Sequence, residues 1–163
     1  MTKPTLTPKS FLKTLTILHF SFFGAMLFFA GVAYFINQNH TVDINKVEII
    51  NLMILVVIGL VGVFGGQLAQ KKNLEKAKNQ SSLRHKLGIY QTSALIKYAF
   101  LEGPALFAIV LYLQSSEFIY LLFAVILMIY FITLRPTKEK IIKSLQLGRE
   151  HQMQFNKENQ ELN

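Results

Sequence analysis

The chain reads as an all-α polytopic membrane protein, a four-transmembrane-helix bundle with a short cytoplasmic amphipathic tail helix. Three observations predict it. First, 52% of the 163 residues are hydrophobic and the mean hydropathy is +0.36, too apolar for a soluble domain of this size. Second, the apolar residues come in blocks: residues 15–36, 49–66 and 118–134 hold no Asp, Glu, Lys or Arg, and 94–113 is apolar except for Lys97 and Glu102. About 20 mostly apolar residues at 1.5 Å each cross about 30 Å of hydrocarbon. Third, the cations alternate. The segments before the first block, between the second and third, and after the fourth hold 15 Lys and Arg, against 1 in the loop 37–48 and none in 114–117. The positive-inside rule then puts both termini and the middle loop in the cytoplasm of a bacterial inner membrane.

Residues 1–14 are a basic cytoplasmic lead. The membrane domain runs over 15–134, with spans at about 15–36, 49–68, 94–113 and 118–134. Lys3, Lys9 and Lys13 ahead of a long apolar run ending in Gly31, Val32 and Ala33 are similar to a signal peptide. Such peptides have an apolar region of about 7–15 residues; this longer one favours a retained span. Tyr34 and Phe35 are placed as an outer aromatic anchor. The polar outer loop carries the sequon Asn39-His40-Thr41.

In the second span, Asn51, Leu55, Gly59, Gly62 and Gly66 recur at 4-4-3-4 spacing and share one stripe. Lipid gives helices little hydrophobic reason to associate, so small residues that let backbones approach form their contacts. Asn51, Gly59, Gly62 and Gly66 are therefore expected to pack against a neighbouring helix. The basic cytoplasmic loop 69–93 reads as mostly helical, with a break and restart at Asn79-Gln80-Ser81-Ser82. Only 114–117 join the third and fourth spans, so these are antiparallel neighbours. Tyr112, Phe118 and Tyr120 are assigned to the outer interface, and Tyr130 and Phe131 to the inner one. In the cytoplasmic tail 135–163, Thr137 caps a helix with Ile141, Ile142 and Leu145 on one side, suited to lying on the membrane surface. From Gly148 onward, Gln, Asn and charge dominate and disorder is expected.

The chain has no cysteine, which excludes disulfides and thiolate chemistry. Phosphate-binding, serine-hydrolase, zinc-protease and dinucleotide motifs are all missing from the sequence. His19, His40, His85 and His151 fall in separate segments without metal-ligand spacing. The reading is therefore non-enzymatic, with no cofactor and no metal. The cations are expected to meet the lipid bilayer and its anionic headgroups at the cytoplasmic face rather than nucleic acid. A membrane-protein partner or a homo-oligomer is the expected company.

Glu102 is the exception to the apolar spans. A charged side chain at mid-span costs about 2.5–3.5 kcal/mol on insertion scales, which makes it a functional candidate. Tyr98 lies one turn earlier on the same face. Pro104 has no N–H, so the Phe100 carbonyl loses its helical donor and offers an extra acceptor near the carboxyl group. At 1.5 Å per residue, His19, Gly62 and Glu102 lie roughly 6, 9 and 12 Å from the inner ends of their spans. A Glu102–His19 contact across the bundle is thus in reach. Glu102, Tyr98 and His19 form the candidate proton or ion site; Lys97 is close enough to the inner end to extend its ammonium to the interface.

Residues 59–112 resemble the hairpin of rotary ATPase proteolipid (c-type) subunits. The likeness rests on Gly59, Gly62, Gly65 and Gly66, the polar loop that follows, and the run Ala99-Phe100-Leu101-Glu102-Gly103-Pro104-Ala105-Leu106. It implies that Glu102 binds a proton or sodium ion. The glycines here recur every three residues rather than every two, and the loop is longer. Over its whole length the chain is similar to small, uncharacterised four-helix bacterial inner-membrane proteins with an EGPALF segment and an RPTKEKII tail. That likeness implies no activity.

The leading functional expectation is a membrane scaffold or partner of a larger complex; the alternative is a proton- or ion-handling element centred on Glu102. Cysteines introduced at Ser81 and Thr41 of this cysteine-free chain should label from opposite sides of the membrane. Labelling of both by an impermeant reagent outside intact cells would contradict the assigned topology.

Overall fold

The computed structural model describes residues 6–37 and 47–162. The outer-loop sequon at 39–41 lies outside them. Among the described residues the elements are all helical: α1 (Pro8–Ile36), α2 (Ile49–Leu60), a π-helical turn (Val61–Gly65), α3 (Gly66–Lys78), α4 (Leu83–Ser115), α5 (Phe118–Thr133), α6 (Lys138–Leu145) and α7 (Arg149–Asn156). Three helical stretches are long and apolar enough to cross a membrane: Pro8–Ile36, Ile49–Lys78 and Leu83–Ser115. A fourth arises if α5 and α6, which meet at 81°, count as one broken span.

Local chemistry sets the ends. Thr7 and Ser10 form a reciprocal capping box and Pro8 stands where its missing N–H is harmless, so α1 begins well before the apolar block. Thr137 caps α6 as its position predicts, accepting from the Lys140 backbone N–H at 3.3 Å. Beside it, the Glu139 carboxyl is held below its ordinary pKa by its own backbone N–H and by the Thr137 hydroxyl. The helices also outrun the apolar blocks at the basic end: α3 carries the second apolar stretch on to Lys78, and α4 starts at Leu83, just after the break at 79–82.

α4 is the central helix. It packs against α1, α2, α3, α5 and α6, and α1 also meets α5. On α1 the buried residues Phe11, Leu15, His19, Met26, Ala30 and Ala33 make a narrow seam, while Phe28, Phe35 and Ile36 point outward, 68–81% exposed. On α2 and the π turn, Leu55, Gly59 and Gly62 face inward and Val57, Leu60 and Phe64 outward. An apolar belt on this scale marks a surface built for lipid or a membrane partner.

The two ends of the bundle differ. At one end, Asn37 donates to the Tyr112 carbonyl (3.0 Å) and accepts from the Ser116 hydroxyl (2.8 Å). This ties α1 to the α4–α5 turn, where Ser116 takes the left-handed conformation at φ 62°. At the other end the three basic segments converge. The Lys9 N–H donates to the Glu158 carbonyl and the Leu162 N–H to the Leu6 carbonyl; the His151 ring bonds the Ser81 carbonyl at 3.0 Å.

Two expectations for the tail are corrected here. The apolar side of α6 faces protein: Ile141 and Leu145 are buried because α3 and α4 extend past the apolar blocks and pack against α6. Nor is the segment after Gly148 disordered. Phe155 and Leu162 are buried with Leu147 while Met153 points outward, and the backbone bonds to Leu6 and Lys9 fasten the segment. Part of the aromatic belt is corrected too. Tyr112, Tyr120 and Phe131 are at most 1% exposed and belong to the core, which leaves Tyr34, Phe35 and Phe118 outward.

The glycine stripe sits against α4. A Cβ on Gly62 would lie 2.5 Å from the Phe100 carbonyl oxygen and 2.9 Å from Pro104 Cγ. On Gly66 it would meet Phe100 Cβ at 3.0 Å, and on Gly59 the Phe123 ring at 2.6 Å. Gly24, by contrast, faces open space. Gly62→Ala should therefore cost about 1–3 kcal/mol through overpacking, whereas Gly24→Ala should stabilise by up to about 1 kcal/mol through helix propensity. Thermal unfolding in detergent measures both; equal shifts would remove the close approach from the account.

Candidate functional site

Glu102, Tyr98 and His19 all belong to the α1–α4 side of the bundle, yet only two of them meet. Tyr98 is 2% exposed and His19 1%. Their ring centroids are 5.1 Å apart, edge to face. His19 also stacks on Phe131 at 4.7 Å and 9°, and Phe22 lies 5.8 Å from Tyr98. The imidazole is thus one plate in an aromatic cluster joining α1, α4 and α5. Its Nδ1 is buried without a hydrogen-bond partner.

Glu102 stands apart. It lies one turn beyond Tyr98 at the margin of α4's buried face, half-buried, next to exposed Ala99 and Gly103. Among the described residues it makes no hydrogen bond or ion pair. The contact with His19 and the hydrogen bond from Tyr98 that the sequence put within reach are therefore not formed. The geometric reason is clear for both. His19 is held by rings rather than by a polar group, and the Tyr98 side chain lines a cavity at the basic end of the bundle, with Lys97 and Lys140. The Phe100 carbonyl freed by Pro104 does not turn to the carboxyl group either; it faces Gly62. No group of three or more His, Cys, Asp or Glu able to hold a metal is present among the described residues.

The packing residues fall as follows. Gly59, Gly62 and Gly66 are buried at the contacts with α4 and α5. Asn51 sits at the first turn of α2, where its amide donates to the Glu48 carboxylate at 2.7 Å. Its side chain also hydrogen-bonds the Tyr120 hydroxyl of α5, so it joins the two helices through a polar contact rather than through close backbone approach. The stripe is consumed inside the bundle, so it is not a free docking groove.

Sequence reasoning missed a second polar region. Lys97, Lys140, Tyr90, Tyr98, Gln70 and Ser144 surround one cavity. They are spread over 75 positions of sequence, from Gln70 to Ser144. Only Lys97, a cation inside an apolar run, signalled it in advance.

Comparison with known proteins adds no relative: no protein family, curated protein or solved structure matches this chain.

The His19 geometry yields a test. Phenylalanine keeps the stack on Phe131 and Tyr98 and removes a buried nitrogen without a partner, a group that costs about 1–3 kcal/mol to leave unsatisfied. His19→Phe should fold and match or exceed the parent in thermal stability, while His19→Ala should lose about 2–4 kcal/mol as a cavity opens. A His19→Phe protein as unstable as His19→Ala would show that the imidazole nitrogens carry structure.

Proposed function

We propose that this protein is a non-enzymatic, four-span component of the bacterial inner membrane, with both termini in the cytoplasm, that serves as a membrane-embedded partner of a larger complex. One observation carries the reading. Glu102 lies within an apolar span, and its own bundle supplies it with no hydrogen bond or ion pair among the described residues. A charge left to lipid costs about 2.5–3.5 kcal/mol. A donor or cation on the helix of another membrane protein recovers part of that, with interhelical hydrogen bonds worth about 0.6 and at most about 1.7 kcal/mol. Exposed Ala99 and Gly103, four residues apart, flank the carboxyl group; small residues at that spacing let a foreign helix come close.

The topology has structural support. α1 starts, α3 gives way to α4, and α5 gives way to α6 at the same end, where the three basic segments gather. α5 has 16 residues, roughly 24 Å at 1.5 Å per residue. That falls short of the usual hydrocarbon thickness by an amount that bilayers absorb by thinning locally.

A photo-crosslinking residue placed at Ala99 in native membranes should give a discrete protein adduct that weakens markedly in Glu102→Gln. The same probe at Ile126, exposed on α5, should give none. Equal yields at the two positions would contradict the reading. The ion-handling alternative makes the opposite demand: the parent in vesicles should move protons or react with a carboxyl-directed carbodiimide, and Glu102→Gln should do neither while staying folded.

A further inference from the structure

The cavity at the basic end has a chemistry of its own. It lies where the apolar part of α4 ends, bounded by Ala94, Lys97 and Tyr98 of α4, by Thr133 and Leu134 at the end of α5, and by Lys140 and Ser144 of α6. Its volume is about 230 Å³, room for roughly seven waters at about 30 Å³ each and less than the roughly 300 Å³ at which drug-sized ligand pockets begin. A small polar group fits it; a large apolar ligand does not.

The lining is built from donors. Lys140 is fixed in place: its ammonium donates to the Thr133 carbonyl at the end of α5 (2.7 Å), where a cation is favoured, and to the Arg135 carbonyl just beyond it (3.0 Å). One of its three protons is left over. Lys97 lines the same cavity as Lys140 and makes no hydrogen bond or ion pair of its own among the described residues. Tyr90, Tyr98, Ser144 and Gln70, each with a hydrogen-bonding group, complete the wall, and no Asp or Glu lines it. Two like charges held beside one another with no carboxylate between them ask for an anion. Arg135 adds positive charge nearby, its guanidinium 5.8 Å from the centre of the Phe20 ring.

We propose that this cavity binds a phosphate group, with Lys97 and Lys140 as its two cationic contacts. Tetrahedral phosphate accepts from several donors at once and is held well by ammonium groups. Basic pockets between spanning helices at the cytoplasmic side suit lipid headgroups of this kind. The site is distinct from the diffuse attraction of the surface lysines, and it does not depend on the role proposed for Glu102. Two sources present the same chemistry: the phosphodiester of an anionic phospholipid and a soluble phosphate.

The purified full-length protein distinguishes them. In one arm, native mass spectrometry counts retained phosphatidylglycerol or cardiolipin against phosphatidylcholine; in the other, calorimetry titrates inorganic phosphate and glycerol phosphate. Binding in either arm, weakened about tenfold in Lys97→Gln and restored in Lys97→Arg, is the expected result. Lys143→Gln removes the same charge from the exposed side of α6 and should leave binding unchanged. Ser144→Glu, at an exposed position, should abolish binding without disturbing the core, so the proposal stays testable even if Lys97→Gln folds poorly. Equal losses in Lys97→Gln and Lys143→Gln, or no binding in both arms, would overturn it.

Discussion

The structure hangs on one close approach, the backbone of Gly62 against the Phe100 carbonyl and the Pro104 ring. Three sequence features meet there. Pro104 cannot donate to Phe100, so that carbonyl is left over in the middle of a spanning helix. In lipid no water can satisfy it, and an unsatisfied backbone group is expensive. Gly62 brings a backbone with no Cβ up to it, at a separation where any larger residue would strike the carbonyl oxygen. The turn Val61–Gly65 is wound as a π-helix at the same place. Gly66 extends the contact with α4, and Gly59, one turn earlier, meets the Phe123 ring of α5, so the stripe holds α2 and α3 against both α4 and α5.

That unit explains the layer beyond the apolar blocks. Because α3 and α4 run on past the apolar blocks, they carry Ala77, Leu83 and Leu87 into the basic end, where Ile141, Leu145, Leu147, Phe155 and Leu162 join them in a continuous core. The tail is therefore structure rather than trailing chain. The sharp bend after α5 brings α6 over the mouth of the bundle, and the space left beneath it is the lysine-lined cavity. Glu102 lies off the buried seam, a turn from the aromatic cluster. The Phe100 carbonyl faces Gly62 inside the bundle, while the Glu102 carboxyl group has no hydrogen bond or ion pair among the described residues.

Much of this was legible before any coordinates. The apolar blocks and the alternating cations announce the spans because bilayer thickness and charge translocation are strict physical filters. The 4-4-3-4 spacing places Gly59, Gly62 and Gly66 on one face because helical geometry is regular. Proline chemistry alone identifies Phe100 as the residue with a spare carbonyl. What stayed hidden depends on which helix lies beside which. That the spare carbonyl turns to Gly62 rather than Glu102, that His19 meets rings rather than a carboxylate, and that Gln70, Lys97 and Lys140 share a cavity are all facts of tertiary packing. The tail misled for a different reason. Its composition is polar on average, but burial of Phe155 and Leu162 needs only two residues in the right places.

The central claim is that Gly62 and Pro104 form one interaction rather than two independent structural features. A double-mutant cycle with Gly62→Ala and Pro104→Ala, read by reversible unfolding in mixed micelles, tests it directly. Alanine at 104 restores an N–H to Phe100 and removes the ring atom that a Cβ at 62 would strike. The cost of Gly62→Ala should then fall in the Pro104→Ala background, giving a coupling of about 1 kcal/mol or more, within the range seen for residues in contact. Additivity to within about 0.3 kcal/mol, the behaviour of independent sites, would contradict the account.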